Sequence, residues 1–207
     1  MFQNRHHAGI LLASMLSKYI GENIVVLAIP RGGVVIGYEI AKALEAPLDV
    51  IVVRKIGHPD YPEYAIGAVG KDGETIINDE ERERIDPEVL FALCEEQRKE
   101  AARRTAKFKI KEPIAIHGRT VILTDDGAAT GLTLQLAIKM IRRMRPKRIV
   151  VAVPVIAADT ATEIQKKVED LVVVEEAQLF KGAVASHYHE FNEVHDEAVT
   201  DLLLRTL

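Results

Sequence analysis

Short apolar segments rich in β-branched residues alternate with segments of helical period along most of the chain. A helical pattern follows the apolar segment at 24–29 as far as Glu45, and another follows the segment at 120–125 as far as Met144. A third helical pattern, over about 159–168, follows the segment at 148–155. Strands that are apolar on both faces and joined by helices are typical of a parallel sheet covered on both sides. The pattern therefore predicts an α/β fold with a doubly wound, mainly parallel sheet. The predicted strands are "IVVLAI" at 24–29, "LDVIVV" at 48–53, "TVILTD" at 120–125, "RIVVAVPV" at 148–155 and "LVVVEE" at 171–176.

Two regions depart from this alternation. Residues 56–78 contain two short β-like segments around Lys71-Asp72-Gly73, which predicts a hairpin. At 86–108, Asp86 as a cap and Pro87 at the first helical position predict an inserted helix of about six turns. One face of this helix is largely apolar, so we expect it to pack on the same domain or on a second subunit, and to serve assembly or active-site cover instead of chemistry. That face comprises Val89, Leu90, Leu93, Cys94 and Gln97.

Composition narrows the class of protein. The 207 residues are 48% hydrophobic, which is enough for the core of one domain. A net charge of -4, spread along the chain, argues against a protein that mainly binds nucleic acid or an anionic membrane. The single cysteine, Cys94, excludes a disulfide within the chain and fits a reducing cytoplasm. Because no segment approaches about 18 consecutive apolar residues, we expect a cytoplasmic protein with no membrane partner.

The segment "VILTDDGAATGLTL" at 121–134 carries the most informative chemistry. A strand that ends in Asp125-Asp126, a turn of small residues and a helix that starts near Leu132 would present free amides and the positive end of a helix dipole to an anion. Thr130 and Thr133 add hydroxyl donors. The patterns of the nucleotide P-loop and of the Rossmann fingerprint are both absent. Two carboxylates do not attract a phosphate, so they are expected to hold sugar hydroxyls or a magnesium ion.

Two further segments carry basic residues. "IPRGGVVIG" follows the first strand, with Arg31 as a cation and two glycines that permit unusual backbone angles; an ordinary structural turn is an equal alternative for this segment alone. Arg54 and Lys55 end the second predicted strand, where adjacent cations are costly unless they face solvent or an anion. The loop at 57–64 follows them, and His58 and Glu63 are its chemically capable residues; a solvated turn is again an equal alternative.

These segments resemble a known family. The two acids, the small-residue turn and Thr-Gly-x-Thr at 125–133 resemble the 5-phosphoribosyl-1-pyrophosphate (PRPP) motif of type I phosphoribosyltransferases, and the Pro30–Gly33 turn resembles their pyrophosphate loop. The chain is similar over nearly its full length to a microbial subfamily of predicted phosphoribosyltransferases with unassigned acceptors. The further segments that carry this similarity are "FQNRHHAGILLASML", "PEYAIGAV" and "FKGAVASHYHEFNEVHDEAV".

The resemblance implies Mg2+-dependent transfer of a phosphoribosyl group from PRPP to a small nitrogen heterocycle, with release of pyrophosphate. It implies that Asp125 and Asp126 bind the ribose hydroxyls, directly or through Mg2+. Arg54, Lys55 and Glu63 would assist the reaction as the 57–64 loop closes over it. The implied 5-phosphate ligands are Gly127, Ala128, Ala129, Thr130, Gly131, Leu132 and Thr133; the implied pyrophosphate ligands are Pro30, Arg31, Gly32, Gly33, Arg54 and Lys55.

The resemblance also implies one domain over 1–207, with a helical insertion at 79–112 and a hood at 177–196 that covers the acceptor. In the hood, Phe180 and Tyr188 could stack on a flat ring; core packing is an equal alternative for Phe180. Ala129 replaces an aspartate of many purine-salvage members, and no lysine follows the strand around Pro154, which disfavours hypoxanthine and guanine as acceptors.

Other functional assignments stay open at this point. A PRPP-binding regulator with little turnover, or a hydrolase of an activated ribose phosphate, would use the same site residues. A metal site at His187, His189 and His195 is disfavoured, because no cysteine or tight carboxylate set accompanies them. We expect a homo-oligomer, with a dimer favoured.

Overall fold

The structure is a computed structural model that describes residues 1–109, 112–178, 180 and 183–206. Residues 110, 111, 179, 181 and 182, which fall in the predicted insertion and hood, lie outside the described residues. The helices are α1 Arg5–Met15, α2 Gly32–Leu44, α3 Asp79–Arg84, α4 Pro87–Phe108, α5 Leu132–Arg143, α6 Ala158–Gln165 and α7 Asp196–Leu204. The strands are β1 Ile24–Ala28, β2 Leu48–Val50, β3 Val53–Gly57, β4 Ala65–Gly70, β5 Thr75–Ile77, β6 Thr120–Thr124, β7 Arg148–Ala157 and β8 Asp170–Ala177.

The central sheet has five parallel strands in the order β2-β1-β6-β7-β8. Every residue of β1 and β6 is buried, because alternate side chains enter the cores on the two faces of the sheet. Val26 and Ala28 pack with α1 and α2, whereas Val25 and Leu27 pack with α5 and α6. The predicted α/β fold with a mainly parallel sheet is confirmed.

Strands β1 and β6 end side by side. Leu27 lies opposite Leu123, and Ala28 lies opposite Thr124, the last residue of β6. The segments that follow the two strands therefore meet at the carboxyl edge of the sheet, where open α/β sheets bind ligands. This pairing brings together two motifs that are far apart in the sequence.

The predicted strand at 48–53 is wrong in one respect. The chain leaves the central sheet after Val50 and enters a second, antiparallel sheet at Val53, with the order β3-β4-β5. Arg54 and Lys55 therefore lie within β3 and do not end a strand of the central sheet. The hairpin formed by β4 and β5 turns at residues 71–73, where Gly73 has a φ of +84°. An apolar run does not reveal that its two halves belong to different sheets.

Helix α4 packs on the second sheet. Leu90, Leu93 and Cys94 contact the buried side chains of that sheet, whereas Val89 is 42% exposed, contrary to its predicted place on the packed face. The sequence patterns also missed two helices. Asn78 caps α3 by accepting hydrogen bonds from the amides of Glu80 and Glu81, and α7 packs against α2 and α4. Among the described residues, no helix combines the length and apolar character that a bilayer crossing requires.

Candidate functional site

Asp125 and Asp126 follow β6 at the carboxyl edge of the sheet. The amide of Asp126 donates to Oδ1 of Asp125 at 2.8 Å, and Nε of Arg5 donates to Oδ2 of Asp126 at 2.8 Å. Burial, and next the charge of Asp126, raises the pKa of Asp125 well above its usual range. Burial also raises the pKa of Asp126, which the charge of Arg5 partly offsets. Burial thus disfavours the charged forms of both acids, and a cation or hydroxyl donors at this site would favour those charged forms.

Arg5 was not predicted from the sequence. It reaches Asp126 from α1, its Nη1 donates to the carbonyl of Asn192 at 2.8 Å, and its guanidinium lies 3.6 Å from the ring centroid of Phe191. Arg5 therefore ties the start of the chain, the acidic pair and the C-terminal segment together. Arg5 is an arginine in the first turn of a helix, and nothing in the sequence around it indicates a contact with Asp126.

The turn at 127–131 is held on one side by β7 and α6. The amide of Ala128 donates to the carbonyl of Val155 at 2.9 Å, and Oγ1 of Thr160 donates to the carbonyl of Ala129 at 2.5 Å. Gly131 starts α5 with a φ of +66°, and no side chain caps this helix. Within the described part of the chain, the amides of residues 129–131 donate no hydrogen bond. They are available to an anion at the helix N-terminus.

The Pro30–Gly33 turn lies directly against the acidic pair. A Cβ atom at Gly32 would lie 1.9 Å from Oδ2 of Asp126, and one at Gly33 would lie 2.9 Å from Cα of Asp125. Neither glycine has a positive φ. The glycines are thus required by close approach, and the sequence-based explanation through unusual backbone angles is wrong. The peptide bond between Pro30 and Arg31 is cis.

A cavity of about 580 Å³, here called the cationic cavity, opens beside this turn. Arg31 lines it and donates through Nη2 to Oε1 of Glu193 at 2.6 Å. Arg54 is half-buried and donates to Oε1 of Gln97 on α4 at 3.0 Å. Five of the six predicted pyrophosphate residues, all except Gly33, thus line one cavity. Its charged lining residues are Arg5, Arg31, Arg54, Lys55, Arg104, Asp126 and Glu193.

The loop after β3 contributes at the edge of this cavity. Nζ of Lys55 lies 3.3 Å from Oε2 of Glu63, whose side chain is fully exposed. His58 points away from this pair, with Nε2 3.8 Å from Oε2 of Glu81 on α3. Glu63 thus pairs with Lys55, which lines the cavity, but does not line the cavity itself. His58 instead connects the loop to α3 of the insertion.

A second cavity, of about 760 Å³, is lined in part by the 127–131 turn. Phe180 lines it together with Ala129 and Thr130, so a ring held there would lie beside the turn. Tyr188 does not line it. Its ring is 5% exposed, packs against Phe2 and Phe191, and its hydroxyl donates to the carbonyl of Asp126 at 2.6 Å. The prediction that Tyr188 stacks on the acceptor is therefore wrong, because its faces are covered by the core.

The histidines of the C-terminal segment do not converge. His187 is buried, with Nδ1 2.9 Å from Oε1 of Glu175, and its ring packs on Phe180, whereas His189 and His195 lie elsewhere along the segment. Among the described residues, no group of three or more histidine, cysteine, aspartate or glutamate side chains is arranged to hold a metal.

The comparisons with known proteins agree with this geometry. A family model described as the phosphoribosyl transferase domain matches residues 2–191. Two proteins of Mycobacterium tuberculosis, from strains CDC 1551 and H37Rv, are each named provisionally as a phosphoribosyl transferase and are 36% identical over 99% of this chain. The chain belongs to the phosphoribosyl transferase family, which is a family of transferase enzymes. It spans about half of those curated relatives, because the match covers 47% of their length.

Two solved structures resemble this chain. The crystal structure of protein TT1426 from Thermus thermophilus is 38% identical, covers 99% of this chain and 98% of its own, and superposes with a TM-score of 0.79. The Aquifex aeolicus protein AQ2163 is 15% identical and covers 96% of this chain and 84% of its own, with a TM-score of 0.53, which shows a shared fold alone.

Proposed function

We propose that this protein transfers the 5-phosphoribosyl group of PRPP to a nitrogen heterocycle and releases pyrophosphate, with Mg2+ as the metal ion. The nitrogen lone pair forms the bond to C1 of the ribose while the bond from C1 to the diphosphate oxygen breaks. The proton of the attacking nitrogen leaves to solvent or to a nearby base. The products are a ribonucleotide and pyrophosphate.

The observation that carries the proposal is the contact between Gly32 and Asp126. It joins a basic turn after β1 to an acidic pair after β6, and the free amides of the 127–131 turn lie immediately beyond the acids. One ligand that carries a diphosphate, two vicinal hydroxyls and a separate phosphate matches these three neighbouring subsites. PRPP has this arrangement of groups.

Each subsite has a distinct role in the proposed reaction. The amides of residues 129–131 and the hydroxyls of Thr130 and Thr133 bind the 5-phosphate, with the dipole of α5 behind them. The carboxylates of Asp125 and Asp126 accept from the ribose hydroxyls and favour the positive charge that develops on the ribose. Arg31 and the neighbouring cations of the cationic cavity neutralise the departing diphosphate, which lowers the barrier to its release.

The donor chemistry of the acidic pair fits Mg2+. This ion prefers oxygen ligands and is commonly held by one or two carboxylates together with substrate phosphates. Asp125 and Asp126 supply such oxygens in a half-buried setting where a cation would relieve their mutual repulsion. When bound, Mg2+ would neutralise charge on the diphosphate. Arg5 fixes one oxygen of Asp126 and so restricts the orientation of this carboxylate.

The acceptor is proposed to lie in the second cavity, beside Phe180 and the 127–131 turn. The cavity volume of about 760 Å³ accommodates a flat heterocycle, and the half-buried Phe180 ring offers a stacking face. Ala129, in place of an acidic residue, leaves this part of the turn without a proton acceptor for a purine. A base that does not need that acceptor is therefore favoured.

The test is pyrophosphate release from PRPP in the presence of Mg2+ and a panel of nitrogen heterocycles, with binding of PRPP measured separately by calorimetry. We expect acceptor-dependent release with at least one heterocycle. PRPP binding without release for any acceptor would favour a regulatory protein, and acceptor-independent release would favour a hydrolase. Efficient transfer to hypoxanthine or guanine would contradict the proposed acceptor class.

A further inference from the structure

Helix α4 brings one arginine, Arg104, into the cationic cavity. This helix belongs to the insertion. Gln97 on the same helix is linked to the cavity indirectly, because it accepts a hydrogen bond from Arg54, which lines the cavity. Arg104 lies in the same cavity as Arg31 and Asp126, which belong to the proposed PRPP site. An element that the sequence patterns assign to packing or assembly thus supplies a cation to the cavity beside the glycine turn.

The side chain of Arg104 is largely buried, and its guanidinium is incompletely paired. The side chain is 10% exposed, and its Nε donates to Oε1 of Glu100 at 2.7 Å. Within the described residues, its two terminal nitrogens donate no hydrogen bond. An arginine presents five donors in a fixed fork, so a buried arginine with only one of them engaged has room for a polyanionic oxygen ligand.

The surroundings of Arg104 do not neutralise it. Glu100 also binds Arg103 at 2.7 Å, so this carboxylate is shared, although Arg103 has a second partner in Asp196 at 3.2 Å. Burial lowers the pKa of the half-buried Arg54, and the charge of Arg104 lowers it further. Like charges held together away from water are costly unless an anion joins them.

A purely structural role for the pair of Arg104 and Glu100 does not account for this arrangement. A salt bridge four residues apart forms equally well on the solvated face of a helix and adds little stability there. Arg98 on the same helix gives a more solvated comparison, since it pairs with Glu95, three residues away, at 2.7 Å and is 35% exposed. The cationic cavity holds five cationic and two acidic side chains in a chain whose net charge is -4.

We propose that Arg104 of the inserted helix is a diphosphate-binding residue, which donates its terminal nitrogens to the oxygens of pyrophosphate in the cationic cavity. The insertion then completes the leaving-group site from the side opposite the Pro30–Gly33 turn. The identity of the diphosphate as the leaving group rests on the proposed function. The binding of a diphosphate at Arg104 does not, and inorganic pyrophosphate tests it directly.

The experiment measures inorganic pyrophosphate binding to the full chain by calorimetry, with and without Mg2+, for the wild type, Arg104→Gln and Arg98→Gln. We expect Arg104→Gln to weaken binding by roughly tenfold or more, because a bidentate charge-assisted contact is lost. Arg98→Gln removes an arginine and its ion pair from the same helix but lies outside the cavity lining, so it should stay within about twofold of the wild type.

Two further measurements separate this role from a structural one. Thermal unfolding of each variant shows whether it is folded. If Arg104→Gln does not fold, Arg104→Lys is used in its place in the binding measurement. Lysine keeps the charge but loses the fork, so weaker binding by several-fold is expected. If turnover is found, Arg104→Gln should raise the KM for PRPP while the KM for the acceptor is unchanged.

Folded Arg104 variants that bind pyrophosphate as the wild type does would overturn the inference, as would a wild type that does not bind pyrophosphate at millimolar concentration. Either result leaves the proposed function to be judged by pyrophosphate release. Conversely, Arg104-dependent pyrophosphate binding with no transfer to any acceptor would support the inference while the proposed function fails.

Discussion

Replacement of Gly32 by alanine tests the contact that joins the basic turn to the acidic pair. The added Cβ would lie 1.9 Å from Oδ2 of Asp126 and 2.8 Å from Nε of Arg5. The backbone of Gly32 has no positive φ, so alanine fits its conformation and the conflict is confined to these neighbours. Helix α2 starts at this residue, and the substitution leaves its hydrogen bonds in place.

The size of the effect follows from the displacement. The carboxylate of Asp126 must withdraw by about 1.5 Å, the difference between 1.9 Å and an ordinary contact of about 3.4 Å. This breaks its 2.8 Å hydrogen bond with Arg5. The same displacement would remove the hydrogen bond that Asp126 is proposed to accept from the ribose. A hydrogen bond that involves a charged group contributes about 1.5–3 kcal/mol, so we expect PRPP affinity to fall by roughly 10- to 100-fold.

The assay is calorimetric titration of PRPP in the presence of Mg2+, together with thermal unfolding of each variant. Gly70→Ala is the matched control, because its added Cβ would meet the flexible Met140 side chain, with Sδ at 3.3 Å, and the carbonyl of Glu74 at an ordinary contact distance of 3.9 Å. This control should bind PRPP as the wild type does. A folded Gly32→Ala protein that binds PRPP within twofold of the wild type would refute the proposed juxtaposition of the turn and the acids.

Three other substitutions probe separate parts of the site. Gly131→Val should weaken PRPP binding severely and destabilise the fold, because residue 131 has a φ of +66° and its Cβ would lie 2.4 Å from Cγ2 of Thr160; unchanged affinity by calorimetry would locate the phosphate elsewhere. Phe180→Ala should raise the acceptor KM several-fold, since aromatic stacking contributes about 0.5–1.5 kcal/mol, and a defect confined to PRPP would contradict this. Asp125→Asn should unfold at an equal or higher temperature than the wild type at pH 8, because the raised pKa of Asp125 makes the folded wild type lose stability as the pH rises through that pKa. The difference in unfolding temperature between the variant and the wild type should narrow as the pH falls toward 3.8, the ordinary pKa. A lower unfolding temperature for the variant at pH 8 would contradict the statement that the charged form of Asp125 destabilises the fold.

The central sheet was predictable because its strands are apolar on both faces, a pattern that few other structures share. The same reasoning failed at 48–53, where Ile51 and Val52 are buried at the junction of two sheets and look like the middle of one strand. Local apolar character reports burial. It does not report which neighbour a strand has.

The site was predictable only where its chemistry is local. The acids and the small-residue turn follow one another along the chain, so their pattern is visible in the sequence. Arg5 lies 121 residues from Asp126, and no local pattern records that contact. The same holds for Gly32, whose need for a small side chain comes from Asp126. Tyr188 lies in an irregular segment without periodicity, so its burial could not be foreseen.

The most direct test of the proposed function is pyrophosphate release from PRPP and Mg2+ across a panel of nitrogen heterocycles, with the double variant Asp125→Asn, Asp126→Asn as the control. We expect release that depends on at least one acceptor, together with its ribonucleotide product, and we expect the folded double variant to lose it. Absence of both PRPP binding and acceptor-dependent release in the wild type would contradict the proposal, and near-normal release from the double variant would contradict the role of the acidic pair.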